Sequence, residues 1–193
     1  MLKLKYAALA ALAIAGSFGA SSAFAAGYEI WNGSSWVRSG TVVLSGPTTA
    51  TYLGNTVPCT SAFTLTLTYD AGTGVQTAQV TGASFTGSGA CTGITKVLPW
   101  SVSAPSALSD PSVLLTISGI NIHFPAPPQT CTGSVTAQVP NANPYSPNPP
   151  GGSGDPSPYN EYIGFNGTLT GGCSVSHRSP GLTADTPLRA YFP

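Results

Sequence analysis

Two stretches of this chain, residues 59–91 and 131–173, are each bounded by cysteines, and all four cysteines fall in phase with a two-residue apolar alternation. In "CTSAFTLTLTY" the residues Cys59, Phe63, Leu65, Leu67 and Tyr69 share one face and Thr60, Thr64, Thr66 and Thr68 the other. Side chains alternate across a β-strand, so this is a half-buried strand with a threonine-lined outer face. "CTGSVTAQV" repeats the pattern with Cys131, Val135, Ala137 and Val139 inward. The closing stretches keep the parity, with Ala83, Phe85 and Cys91 on one face and Phe165, Leu169 and Cys173 on the other unit's equivalent face. Each unit therefore reads as an out-and-back pair of strands with cysteines at its open end. Of the three connectivities that four cysteines allow, Cys59 with Cys91 and Cys131 with Cys173 is the most economical, although sequence alone leaves the other two open.

The remaining chain is β-like as well. "KVLPWSV" places Leu98, Trp100 and Val102 in phase. In "SVLLTISGINIHF" the alternation of Val113, Leu115 and Ile117 passes to Ile120, Ile122 and Phe124 on the opposite parity, which predicts a β-bulge at Gly119. "WVRSGTVVLSG", "ATYL" and "LRAYF" supply further strands. No stretch after residue 25 has a helical apolar period. Eight to ten short strands punctuated by Gly, Pro and Asn predict an all-β domain over residues 26–193, an antiparallel β-sandwich or Greek-key barrel built from the two cysteine-bounded hairpin-like units. One segment breaks the pattern. Residues 140–158, "PNANPYSPNPPGGSGDPSP", have too many prolines to pair and too few apolar groups to bury, so a flexible surface loop is expected, with Tyr145, Tyr159 and Tyr162 as its contact-forming side chains.

Residues 1–25 read as a secretory signal peptide: Lys3 and Lys5, then an apolar run, then the small-x-small site Ala23-Phe24-Ala25. Export to an oxidising compartment agrees with an even number of cysteines, and no transmembrane anchor is expected after cleavage. From residue 26 onward there are four basic residues (Arg38, Lys96, Arg178, Arg189) and six acidic ones, which argues against nucleic acid as a partner. Only 6% of the whole chain is charged, against about 25% in ordinary soluble proteins. A surface so poor in charge suits a secreted, cell-surface or matrix protein.

Catalytic chemistry finds little material. "GGSGD" at 151–155 fails the Gly-x-Ser-x-Gly elbow at its last position. His123 lies on the outward parity of its strand, His177 follows the last cysteine in an expected turn, and the carboxylates are scattered singly. Asp70 and Asp110 read as turn formers and Trp100 as core. No catalytic residue, metal ligand or cofactor site is assigned, and the chain is expected not to be an enzyme.

Taken together and in order, "VPCT", "TGASFTGSGAC", "LPWSV" and "TLTGGCSVS" resemble the PraB-like family of bacterial alkane oxidation activators, over roughly residues 40–176. The resemblance implies an exported accessory protein that helps cells use hydrocarbons without being the oxidase, and it supplies no catalytic residues. An apolar interface or hydrocarbon is then the expected partner, at the cell surface or an oil-water boundary. The competing expectation is a self-associating fibre or biofilm-matrix subunit joined through strand edges.

Overall fold

A computed structural model describes residues 26–108, 112–140 and 162–192. The leader expected at residues 1–25, Asp110, Tyr145, Tyr159 and the proline-rich stretch other than Pro140 lie outside the described residues. The strands are β1 (Gly27–Trp31), β2 (Trp36–Val37), β3 (Gly40–Tyr52), β4 (Asn55–Asp70), β5 (Val75–Gly87), β6 (Thr95–Lys96) and β7 (Trp100–Val102). They continue with β8 (Ser106–Ala107), β9 (Ser112–Pro125), β10 (Pro128–Pro140), β11 (Gly164–Leu169), β12 (Cys173–His177), β13 (Thr183–Ala184) and β14 (Leu188–Tyr191). A single helical turn, α1 (Gly89–Thr92), follows β5.

Eight of these strands close into an antiparallel barrel in the order β3-β4-β5-β7-β9-β10-β11-β12, and β12 pairs back onto β3. Along this circuit every strand's neighbour is the next barrel strand in the chain. The architecture is therefore an up-and-down barrel, which corrects the expectation of a sandwich or Greek key. Alternation could not separate these folds, because each buries one face of every strand. Closure brings all the inward faces around one axis.

The two cysteine-bounded units form separate walls, with β3 between them on one side and β7 and β9 on the other. Cys59 is bonded to Cys91 and Cys131 to Cys173, with Cα separations of 5.8 and 5.9 Å. Cys91 lies on α1 rather than on a strand, since β5 ends at Gly87 and the chain turns before reaching it. Cys173 opens β12 after the Gly171-Gly172 turn.

Register shifts keep the core face continuous. On β9, Ser118 faces Ser134 and Ile120 faces Gly133, so Gly119 is the extra residue, with φ of 75° that suits glycine. The parity change in the sequence is this bulge. A second one, at Thr81 on β5, passes the inward role from Ala78 and Val80 to Ala83 and Phe85. β3 is one strand of 13 residues where two were expected, the apparent break being Pro47. On the side away from β4, β13 pairs with Leu44 and Ser45 and β12 with Thr48 to Thr51, so the proline falls where one neighbour hands over to the other and its missing N–H leaves no bond unmade. The wall opposite β9 is broken in a different way: β6, β7 and β8 run along β9 as three short pieces.

Candidate functional site

The inward residues of an eight-stranded barrel either fill it or leave room for one small ligand. Here they leave room. A cavity of about 100 Å³ runs inside the barrel, and polar atoms contribute almost nothing to its lining. Leu44, Phe63, Phe85, Val102, Ile117 and Val175 line it, and although they face inward they are only half-buried. In a close-packed core such side chains would be almost inaccessible, so their exposure reports unfilled space between the walls. Phe63 sits among rings, with Phe85, Trp100 and Phe165 centred 6.0, 6.2 and 6.2 Å away. These rings reach toward the axis without meeting in a single packed stack.

Each end of the barrel has its own closure. At the end where β3 turns into β4 and β9 into β10, Tyr52 stacks on Phe124 at 4.0 Å and donates its hydroxyl to the Ala126 carbonyl oxygen at 3.0 Å. Both disulfides lie toward this end, where Cys59 and Cys131 stand near the starts of β4 and β10. The opposite end carries a small sheet, β14-β1-β2. Its Tyr28 and Leu188 reach the cavity. Gln76 clamps the sheet there: its amide oxygen accepts from Tyr28 N, and its amide nitrogen donates to the carbonyl oxygens of Tyr28 and Arg38, all at 2.7 Å. Tyr28 donates its hydroxyl to Ser103 O at 2.8 Å, and burial pushes its phenol well above the ordinary range.

The same small sheet holds a charged cluster beside the barrel mouth. Glu29 is nearly buried between Arg189, 2.7 Å away, and Arg38, 3.4 Å away. Arg189 also lies over Trp36 and Arg38 over Tyr191, each 4.2 Å from the ring centre. Glu29, one of the carboxylates scattered singly along the sequence, is thereby gathered with two arginines to fix β1, β2 and β14 together. Nothing in their spacing along the chain announces this, since Glu29 and Arg189 stand at opposite ends of the described chain.

Four polar side chains on the cavity wall, those of Tyr28, Trp100, Thr48 and Ser61, are engaged with protein. Trp100 Nε1 donates to Val97 O at 2.7 Å, which places this tryptophan in the core. Thr48 Oγ1 and Ser61 Oγ share a hydrogen bond of 2.6 Å, with both residues buried. Elsewhere, Asp70 accepts from the Gly72 amide at 2.8 Å as a turn former, and that bond holds its carboxyl below the usual range. His123 approaches Thr130 Oγ1 at 3.2 Å. His177 ends β12 rather than standing in a turn, and its Nδ1 meets the Phe165 backbone N and O at 2.9 and 3.0 Å. Tyr162 is 46% exposed. Among the described residues no group of three or more His, Cys, Asp or Glu is placed to hold a metal ion, and no helix is long and apolar enough to cross a membrane.

A family model described as alkane oxidation protein activator PraA/PraB-like matches residues 1–185. Neither the curated proteins nor the solved structures contain a match.

Proposed function

Because this chain belongs to the PraA/PraB-like family of alkane oxidation activators, we propose that it acts as an exported, non-enzymatic accessory protein that takes an apolar alkyl group into its barrel. The observation that carries this reading is the cavity itself, an unfilled space walled by carbon inside a closed barrel. Keeping such a space empty has a cost, since its lining forgoes contacts that a filled core would make. A hydrocarbon supplies those contacts without asking for a hydrogen bond, and apolar cavities of this kind stay dry and accept small apolar molecules. At about 100 Å³ the space suits a short alkane or one end of a longer chain.

The outer surface offers less to an oil phase. Among the described residues the exposed large apolar side chains, Leu53, Val75, Val97, Leu108 and Tyr162, stand on separate stretches of chain and expose no common strand face. Contact with hydrocarbon at the cell surface or an oil-water boundary is thus proposed to run through the interior of the barrel rather than by spreading of its outside. The fibre reading loses support from closure: every strand of the barrel has a strand partner on each side, although β5 meets β7 over Ala78–Val80 alone.

Ala137 lines the cavity, so Ala137→Phe would occupy it with a ring. In a deletion strain growing on alkane, wild-type protein should restore growth and Ala137→Phe, exported at equal level with both disulfides intact, should not. Full rescue by the filled barrel would remove the cavity from the function.

A further inference from the structure

Every polar side-chain group that the inward parity turns toward the cavity already has a partner inside the protein. Tyr28 Oη donates to Ser103 O, Trp100 Nε1 donates to Val97 O, and the hydroxyls of Thr48 and Ser61 bond each other. Thr49 borders the cavity from the opposite parity of β3, on which side chains alternate away from the inward face. The walls therefore present carbon, and an oxygen brought into the space leaves its water partners for surroundings built without a place for it. We infer that the cavity selects the unsubstituted hydrocarbon over the hydroxylated derivative that oxidation produces, so that this protein works on the substrate side of the oxidation and does not retain the alcohol. The inference rests on the barrel being a hydrocarbon site and adds the direction of its specificity.

The discrimination follows from the asymmetry of polar burial. A methyl group gains by leaving water, whereas a hydroxyl of the same size loses its hydrogen bonds unless the site replaces them. An apolar site rejects such an isostere by about 10- to 100-fold. One group on the wall has the chemistry to undo this. In the Thr48 and Ser61 pair one hydroxyl donates to the other, and the accepting hydroxyl keeps a proton of its own that this bond does not use. Its contribution is decided by a variant that removes both hydroxyls together, which avoids leaving one of them alone.

Pentane and 1-butanol have the same number of heavy atoms and differ in a terminal methyl or hydroxyl. Uptake of pentane by the purified protein is measured by headspace depletion, and 1-butanol is titrated as competitor. The expected result is an alcohol about 10- to 100-fold weaker than pentane, with the ratio unchanged in Thr48→Val/Ser61→Ala. Val135→Thr, which adds a hydroxyl to the wall, should narrow the gap. Equal binding of the two ligands would overturn the selectivity while leaving the hydrocarbon site in place. Loss of alcohol binding only in Thr48→Val/Ser61→Ala would make the hydroxyl pair an anchor and overturn it as well. Failure of pentane to bind at all would defeat the hydrocarbon site and the selectivity with it.

Discussion

Opening the Cys131–Cys173 bridge by replacing both residues with alanine removes a constraint that spans 42 residues of chain. In the chain-entropy treatment, closing a loop of that length lowers the free energy of folding by about 4 kcal/mol at room temperature, and the Cys59–Cys91 loop of 32 residues contributes almost as much. The second bridge also ties β10 to the start of β12 across β11, so without it the walls that close the barrel onto β3 lose their tether at one end. For a domain of this size each kcal/mol corresponds to roughly 2–4 °C in Tm, so the double variant should melt about 8–16 °C lower. Urea unfolding of the purified protein, with the Cys59–Cys91 bridge verified by non-reducing peptide mapping, reads the loss directly. A loss below about 1 kcal/mol would refute the reasoning. So would a peptide from the wild-type protein linking Cys59 to Cys131 or Cys91 to Cys173, because neither cross-link fits two out-and-back units.

Three further outcomes follow from the packing. A methyl group added by Gly46→Ala runs into the backbone oxygen of Gly181, which has no side-chain freedom with which to yield, and should cost about 1–3 kcal/mol in urea unfolding; an unchanged midpoint would contradict this contact. Glu29→Gln removes the negative charge between Arg38 and Arg189 and should cost about 2–3 kcal/mol, with the small sheet opening first in hydrogen exchange; uniform protection would separate the cluster from the cap. The phenol of Tyr28 is raised in the folded protein, so its contribution is fully present below the unfolded value of about 10 and is lost as pH climbs beyond it. Stability should fall above about pH 10, and Tyr28→Phe should flatten that fall; an unaltered slope in the variant would show that the phenol titrates as it does in the unfolded chain.

The alternation of "CTSAFTLTLTY" and "CTGSVTAQV" carried the inward faces of β4 and β10, and the parity change around Gly119 carried the bulge of β9. Thr81 makes an equivalent bulge on β5, yet its signal is weaker: small residues flank the change from Val80 to Ala83, so either parity reads as half-buried. Pro47 misled because a proline inside an apolar alternation looks like a break, and its tolerance depends on which strands later arrive on its other side. Closure is the larger omission. Inward parity is a property of each strand, whereas the barrel and its unfilled centre belong to eight strands at once, and the difference between Phe63 packed solid and Phe63 facing a void is not written in Phe63's neighbours along the chain. Glu29 was legible as a lone carboxylate and Arg189 as a lone cation, because their pairing is made only when β14 returns to β1.

The account turns on where hydrocarbon sits, and a crystal of the protein equilibrated with pentane vapour answers that directly. Electron density for the alkane should appear inside the barrel beside Phe63, Ile117 and Val135, absent from the untreated crystal and absent again in Ala137→Phe. Pentane found only on the outer surface, with the interior unchanged, would contradict the barrel as a hydrocarbon site.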